Sequence, residues 1–168
     1  MLNLRIYPDP ILKEVAKEVE VVDDDIKLLV SNLYDTMRKY NGIGLAAPQI
    51  GVSKRVCVIE LNNQSYTLIN PIILEQRGSM VSTEGCLSFP SVMLTHERPE
   101  YIKVESLDFD NNIVTYEVQG LYAHAFSHEI DHLNGVTFID FLSNLKKDYI
   151  KRKMLKIKRK YLKVTKRK

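Results

Sequence analysis

The sequence predicts an α+β fold in which antiparallel sheets and hairpins pack around a central buried helix, with one helix before the sheets and one after them. Two observations predict this fold. Apolar residues repeat at helical spacing in three separate segments, and short β-rich segments joined by Asn-Asn pairs lie between the first and the second of these. The 168 residues suffice for one domain with a sizeable core.

The first predicted helix lies in residues 23–42, which read DDDIKLLVSNLYDTMRKYNG. Acidic residues open it and Asn41-Gly42 ends it, as is typical of the two ends of a helix. The segment GIGLAAPQIG that follows contains three glycines and a proline, so we expect an irregular loop there. The apolar stripe of the helix consists of Ile26, Leu29, Val30, Leu33, Tyr34 and Met37.

Two antiparallel hairpins are predicted in the middle of the chain. Each pairs two segments rich in β-branched and aromatic residues across an Asn-Asn turn, a combination typical of tight hairpins. The first joins RVCVIEL to SYTLINP through Asn62-Asn63, and the second joins IKVESLDF to IVTYEV through Asn111-Asn112. Antiparallel sheet is therefore expected to fill this part of the chain.

The second helix is predicted in residues 120–135, GLYAHAFSHEIDHLNG, and is apolar nearly all round. A helix of that kind is buried, so its side chains face the interior or a cleft. It contains the pattern HExxH, in which His128 and His132 lie one turn apart on one face with Glu129 beside the first. Two imidazoles at this spacing can bind one metal ion while the carboxylate reaches a bound water. A pair of hydrogen-bonded core histidines is the alternative interpretation.

A third metal ligand has to come from outside this helix. The metallopeptidase pattern HExxHxxGxxH has Phe138 at its last position, which cannot bind metal, and no glutamate follows HExxH, so only Asp140 offers a weak downstream substitute. Upstream, Cys86 lies among small and polar residues in STEGCLSFP, whereas Cys57 lies in an apolar segment and is expected in the core. Cys86 is therefore the favoured third ligand. A set of one Cys and two His leaves a fourth position for water, as a catalytic site requires.

Charge divides the chain into two parts. Residues 146–168 hold 13 Lys and Arg against one Asp, a net charge of +12, which leaves −9 for residues 1–145 of the total of +3. We predict a single catalytic domain over residues 1–148 and a basic helical extension over 149–168, the last helix covering roughly 145–163. The extension is either a solvated helix face or a surface for a phosphate-rich partner such as RNA. Apolar positions of this helix are Leu145, Tyr149, Ile150, Leu155, Ile157, Tyr161 and Leu162.

Composition bears on the location of the protein. Two cysteines are too few for a disulfide framework, and the start of the chain lacks the apolar core of a signal peptide. No apolar run approaches the roughly 20 residues that cross a bilayer. We expect a cytoplasmic protein that has no membrane or DNA partner.

Three motifs together resemble those of the peptide deformylases. GIGLAAPQ at 42–49, EGCLS at 84–88 and HEIDH at 128–132 match in order and separation, and YPDPIL and LINP extend the resemblance from residue 3 to about residue 150. The resemblance implies a metal-dependent hydrolase that removes the formyl group from the N-terminal formylmethionine of nascent polypeptides and releases formate.

The resemblance also implies partners, and two other functions stay open. Because the family acts on chains that leave the ribosome, it implies nascent formylated polypeptides as substrates and, as a hypothesis, the ribosome as a partner of the basic extension. The alternatives are an HExxH metallopeptidase that cleaves ordinary peptide bonds and a non-catalytic ribosome- or RNA-binding protein with a structural metal.

The resemblance assigns the metal site. It implies that Cys86, His128 and His132 hold one divalent metal, Fe²⁺ by resemblance, although Zn²⁺, Ni²⁺ or Co²⁺ also suit such ligands. The metal would lower the pKa of a bound water towards ~7. Glu129 would take the proton of the attacking water and later deliver it to the leaving amine.

The resemblance assigns the substrate contacts as well. The side-chain amide of Gln49 and the backbone N–H of Leu87 would stabilise the negative charge that develops on the formyl oxygen. Ile43 and Gly44 would present backbone to the peptide, because a residue without Cβ permits close approach. The methionine side chain is expected against the central helix at Leu121, His124 and Ala125.

Two positions depart from the family pattern. Ser127 stands where relatives commonly have Gln, and His124 stands where they often have Arg or an aliphatic residue. Neither change touches a proposed ligand or Glu129. Both bear on the polarity and width of the methionine pocket, and we expect hydrogen bonding around Ser127 to differ from that of relatives.

His124 and Asp131 each have more than one interpretation. His124 shares a helix face with His128 and His132, but about 12 Å of helix rise separates the outer pair, so we interpret it as a pocket residue or as one that orients a ligand. An ion between His124 and His128 is the alternative. Asp131 orients an imidazole, pairs with Arg98, or is a solvated helix acid.

Overall fold

The computed structural model describes the backbone of residues 3–165 and the side chains of residues 3–160. Its strands pair antiparallel within two sheets, and its helices pack against them, so the predicted α+β fold is confirmed. None of the helices in this part of the chain has the length and apolarity needed to cross a membrane. In chain order the elements are α1 Asp24–Lys39, β1 Gly44–Ala46, β2 Val56–Leu61, β3 Gln64–Arg77, β4 Met80–Gly85, β5 Met93–Arg98, β6 Tyr101–Leu107, β7 Ile113–Gln119, α2 Leu121–Leu133 and α3 Asn144–Thr165.

Five strands form the main sheet in the order β1-β2-β3-β6-β7, and β4 and β5 form a separate two-stranded sheet. Both predicted hairpins are confirmed. Asn62 and Asn63 join β2 to β3 with φ values of 50° and 62°, which suit a tight hairpin turn. Between β6 and β7, the Asp108 carboxylate accepts hydrogen bonds from the backbone N–H groups of Asp110 and Asn112.

Helices α1 and α2 pack on opposite faces of the main sheet. Successive residues of β2 point to opposite faces, so Val56 and Val58 belong to the cluster under α1, while Cys57 and Ile59 belong to the cluster under α2. Cys57 is fully buried, which confirms it as a core residue. Asp23 caps α1, because its carboxylate accepts a hydrogen bond from the N–H of Ile26 at 3.0 Å.

The main difference from the sequence prediction lies after α1, where an irregular loop was expected. Gly44–Ala46 forms β1, which pairs with β2 at the edge of the main sheet, and Ala47–Ile50 forms a 3-10 turn that ends at Gly51. Three residues are too few to display an alternating pattern, so long-range pairing decides their conformation. The β4–β5 hairpin was also not predicted, because its strands are short and half polar.

The predicted last helix is confirmed as α3, but its apolar residues divide into two groups. Ile150, Met154 and Ile157 pack against a cluster that includes Phe89 and Val92, whereas the other apolar positions, Leu145, Tyr149 and Leu155, are exposed. The boundary proposed between residues 148 and 149 therefore lies inside a helix that shares a core with the rest of the domain. The side chains of Tyr161 and Leu162, and residues 166–168 of the extension, lie outside the described part.

Candidate active site

The HExxH residues lie on α2, in its buried part. Gly120 at φ 60° precedes the helix and Gly135 at φ 69° follows it. Both positions favour glycine because other residues are strained at such φ values. His128 and His132 project to the same side of α2, and their Nε2 atoms are 3.2 Å apart. Cys86 follows directly after β4, which brings its Sγ to 3.3 Å from His132 Nε2.

The three side chains fit a single metal ion. Their ligand atoms all lie within 4.8 Å of one another. A tetrahedral ion with bonds of 2.0 to 2.3 Å holds its nitrogen and sulfur ligands roughly 3.3 to 3.6 Å apart, close to the two measured separations. The lone pairs of two imidazole nitrogens at 3.2 Å also repel unless a proton or a cation lies between them. His124 is not part of this cluster of ligand atoms.

Glu84 connects His128 to the surrounding protein, a role that the sequence did not indicate. Its Oε2 lies 2.8 Å from His128 Nδ1, a contact that keeps His128 Nε2 directed at His132. Arg98 donates two hydrogen bonds to Glu84 at 2.8 and 3.0 Å and a third to Asp131 at 2.6 Å. Of the three interpretations of Asp131, the structure therefore supports the pair with Arg98.

The charge of Glu84 follows from these contacts. Burial alone would raise the pKa of its carboxyl, but the hydrogen bonds from His128 and Arg98 lower that pKa well below its usual range. Glu84 is therefore ionised at neutral pH. Its position two residues before Cys86 in the EGCLS motif was the available signal, since carboxylates commonly orient metal-binding histidines.

Glu129 lies beside the ligand cluster in a closely fitting site. Its side chain is buried, and a Cβ atom built on Gly44 of β1 would approach its Cγ and Cδ atoms to 2.8 Å. The absence of a side chain at Gly44 therefore makes room for Glu129, in addition to the expected approach of a peptide. Burial is the main reason that the pKa of Glu129 is raised to about 7, and the neighbouring His128 opposes this rise.

The two predicted donors to the formyl oxygen lie next to Cys86. Gln49 is buried, and its Oε1 accepts a hydrogen bond from the N–H of Ala46 at 2.8 Å, which fixes the orientation of the amide. Its Nε2 then lies 3.5 Å from Cys86 Sγ and 3.2 Å from Ser88 Oγ. Within the described residues, no hydrogen-bond acceptor is paired with the Leu87 N–H.

A cleft of about 830 Å³ opens onto these groups. That volume lies within the range of small-molecule and peptide sites. His124 and Ala125 form a buried part of its wall, whereas Ile43 and Leu121 are about half exposed at its edge. All five residues predicted to contact substrate line the cleft, namely Ile43, Gly44, Leu121, His124 and Ala125.

The departure at Ser127 has a local effect. Its hydroxyl donates a hydrogen bond of 2.7 Å to the carbonyl of Ala123, one turn earlier in α2. A serine at this position is thus satisfied by its own helix. It makes no hydrogen bond to a proposed ligand in the described part of the chain.

The chain matches the family model described as Polypeptide deformylase over residues 1–148. It belongs to the polypeptide deformylase family. A peptide deformylase of Alkalilimnicola ehrlichii is 45% identical over 163 residues, which cover 95% of this chain and 92% of that protein. One from a Thermotoga strain is 41% identical over 160 residues, which cover 95% and 98%.

Solved structures of polypeptide deformylases have the same fold. That of the Legionella pneumophila enzyme superimposes with a TM-score of 0.90 at 38% identity and covers 96% of this chain and 98% of its own. That of the Ehrlichia chaffeensis enzyme, in complex with actinonin, superimposes with a TM-score of 0.90 at 38% identity and covers 95% and 98%. This chain is therefore a metal-dependent hydrolase that removes the formyl group from nascent peptides.

Proposed function

We propose that Cys86, His128 and His132 hold the divalent metal of the deformylation reaction and that Glu129 is its general base. The observation that carries this proposal is the approach of the three ligand atoms to within 4.8 Å of one another beside a buried carboxylate. A peptidase or a non-catalytic module is disfavoured by membership of the deformylase family.

Glu129 handles the protons of the reaction. When bound, a divalent metal would act as a Lewis acid and make water a nucleophile at neutral pH. Glu129 accepts the proton that this water loses and donates it to the amine that leaves, so one carboxylate serves as base and then as acid. Both imidazoles would hold the metal through Nε2, so neither would be available for this transfer.

Gln49 and Leu87 stabilise the negative charge on the formyl oxygen. Both are N–H donors beside Cys86, and the Gln49 amide is oriented before substrate arrives by the hydrogen bond that its Oε1 accepts from the Ala46 N–H. Preorganised donors of this kind need no rearrangement as charge develops, which is why they lower the barrier.

The cleft holds the peptide with its methionine side chain against α2. Ala125 and His124 supply the buried part of the wall, and Leu121 covers the edge. Gly44 is the first residue of β1, an edge strand of the main sheet, and Ile43 directly precedes it. Their backbone can therefore pair with an extended peptide.

We propose Fe²⁺ as the native metal, from the family resemblance and from a ligand set of two imidazoles and one thiolate, which also accepts zinc. The test is anaerobic purification with metal analysis, followed by an assay of formate release from a formyl-Met peptide. About one iron per chain and formate release are expected, and the matched acetyl-Met peptide should release no acetate. Equal rates of hydrolysis of the formyl and acetyl peptides would contradict deformylation as the specific reaction. Full activity with zinc alone would contradict iron as the native metal.

We also propose that the basic extension at residues 149–168 binds the ribosome in the cytoplasm. The support is its excess of Lys and Arg, many of which are exposed on α3, together with the nascent-chain substrate and two cysteines that form no disulfide. Deleting the extension would remove Ile150 and Met154 from a buried cluster and would destabilise the fold.

Neutralising exposed residues of α3 is therefore the better test of ribosome binding. The variant carries Lys151→Gln, Lys156→Gln, Arg159→Gln and Lys160→Gln, and its matched control carries the same number of Lys→Gln changes at exposed residues outside α3. We expect weaker co-sedimentation with ribosomes and a shallower dependence on salt for the α3 variant alone. Equal binding by both variants and the unmodified chain would contradict the proposal.

A further inference from the structure

The cleft is lined by more residues than those around the ligand cluster, and α3 supplies one of them. These further lining residues, which we call the outer cleft, include residues 3–6 of the N-terminal segment, Pro90, Ser91 and Lys158. Among the described residues of α3, Lys158 alone lines the cleft. A residue bound at the metal therefore leaves room for the residues that follow it in the peptide.

Helix α3 is held firmly at this edge of the cleft. Lys153 donates a hydrogen bond of 2.7 Å to the carbonyl of Ser91, a residue that itself lines the cleft. Met154 is fully buried one helical turn before Lys158, and Ile157 packs against the same cluster. The position of Lys158 along the cleft is thus set by the packed and hydrogen-bonded residues in the helical turns before it.

The charges in the outer cleft leave Lys158 unbalanced. Arg5 and Asp9 also line it, and they lie 3.8 Å apart, so their charges offset each other. In the part of the chain that the structure describes, no carboxylate lies within 4.0 Å of the ammonium group of Lys158, a half-buried residue. Glu84, another carboxylate of the cleft lining, is already paired with Arg98 and His128. A cation on a wall of the cleft attracts anionic groups of whatever occupies it.

We propose that Lys158 is a specificity residue that favours peptides with an acidic side chain among the residues after the formylmethionine. This inference rests on the cleft being the peptide site, as proposed above. A nascent chain has no free carboxyl terminus, so Asp and Glu side chains are the anionic groups that it can present here. The contact involves residues after the formylmethionine and not the reacting atoms, so it affects binding of the peptide and not the chemical step.

The test compares full-length enzyme variants on formylated peptides in the absence of ribosomes. The peptides are identical apart from one residue after formylmethionine, which is Asp, Asn or Lys and is moved in turn through the second, third and fourth positions. The variants are Lys158→Gln and Lys158→Glu, and the matched control is Lys156→Gln, an exposed lysine of α3 that does not line the cleft.

At one position or more, we expect the unmodified enzyme to prefer the Asp peptide to the Asn peptide by about two- to five-fold in kcat/KM, through KM and with kcat unchanged. Lys158→Gln abolishes the preference, Lys158→Glu reverses it in favour of the Lys peptide, and Lys156→Gln retains it. High salt reduces the preference of the unmodified enzyme.

Two results would overturn the inference while leaving the proposed function intact. One is full deformylation with no preference for Asp at any of the three positions. The other is a preference that persists in Lys158→Glu. Absence of formate release from every formylated peptide would instead overturn the proposed function.

Discussion

Helices α2 and α3 both carry many ionisable residues, but the protein places them in opposite environments. In α2 the residues of the HExxH pattern are buried, and its two histidines contact Glu84 and each other. In α3 most lysines and arginines are exposed, and the helix contacts the domain through three apolar residues and the hydrogen bond from Lys153 to Ser91. A charge in α2 is therefore costly unless it is paired, whereas a charge in α3 is solvated and screened.

This difference sets the expected size of mutational effects. A single change near α2 leaves a buried group without its partner, so its effect on activity or metal binding should be large. A single change at an exposed ion pair should have a small effect that depends on salt and pH.

Replacing Glu129 by Gln should have the largest effect. The amide keeps the size of the side chain but cannot accept the proton of the attacking water, so kcat should fall by about 10²- to 10⁴-fold. Metal content and thermal stability should stay close to those of the unmodified enzyme, since Glu129 is not a ligand. Steady-state formate release and metal analysis measure both quantities, and a variant with near-normal kcat would remove Glu129 from the mechanism.

Replacing Gly44 by Ala should displace Glu129 without changing its chemistry. The added Cβ would overlap the carboxylate of Glu129, and a shift of a reacting group by about 1 Å costs roughly 100-fold in rate. We expect lower kcat with unchanged metal content. If the variant retains full activity, the close packing of Gly44 on Glu129 has no functional role.

Replacing Glu84 by Gln should weaken metal binding. The change removes the anionic acceptor of His128 Nδ1 and one partner of Arg98, so metal affinity should fall by about 10- to 100-fold. Asp131→Asn is the graded control, because Asp131 contacts Arg98 and not the histidine, and its effect should be smaller. Competition with a chelator measures both, and equal affinity in all three proteins would exclude the role assigned to Glu84.

Breaking the ion pair between Arg38 and Glu60 should have the smallest effect, and this effect should disappear at low pH. Two hydrogen bonds of 2.7 and 2.8 Å from Arg38 lower the pKa of Glu60 to about 2. Because this pKa is below its unfolded value, the stabilisation is present near neutral pH and disappears as pH falls from about 4.5 through about 2. Glu60→Gln should lower Tm at pH 7 by no more than about 3 °C, and the difference should vanish near pH 2.

The control for this pair is Glu20→Gln, which changes an exposed glutamate. Its Tm difference from the unmodified chain should not vary with pH in the same way. A pH-independent difference for Glu60→Gln would show that the loss comes from packing and not from charge.

The sequence predicted the helices and hairpins well because their signals are local. The stripe of α1 and the Asn-Asn turns between β2 and β3 and between β6 and β7 depend on residues close together in the chain. Strand β1 was missed because three residues form it only through pairing with β2. The sequence did not indicate which apolar residues of α3 are buried, because periodicity does not reveal which face of the helix meets the domain; Leu145 and Tyr149 are exposed.

The site was predictable to a similar extent. HExxH and a cysteine in a polar segment were visible without the fold, and they indicated Cys86, His128 and His132. The contacts of Glu84 with His128 and Arg98 join three separate elements, so spacing along the chain does not reveal them. The same reason explains why Gly44 and Glu129, 85 positions apart, were not expected to touch.

The proposed metal site is tested most directly by comparing the metal content and formate release of Cys86→Ala with those of Cys57→Ala. Both variants remove a thiol, but Cys57 lies in the core under α2 and Cys86 lies among the proposed ligands. If Cys86 is a metal ligand, Cys86→Ala, purified anaerobically, loses most of its metal and its formate release, while Cys57→Ala retains about one metal ion per chain and most of its activity. Full metal content and activity in Cys86→Ala would contradict this role of Cys86.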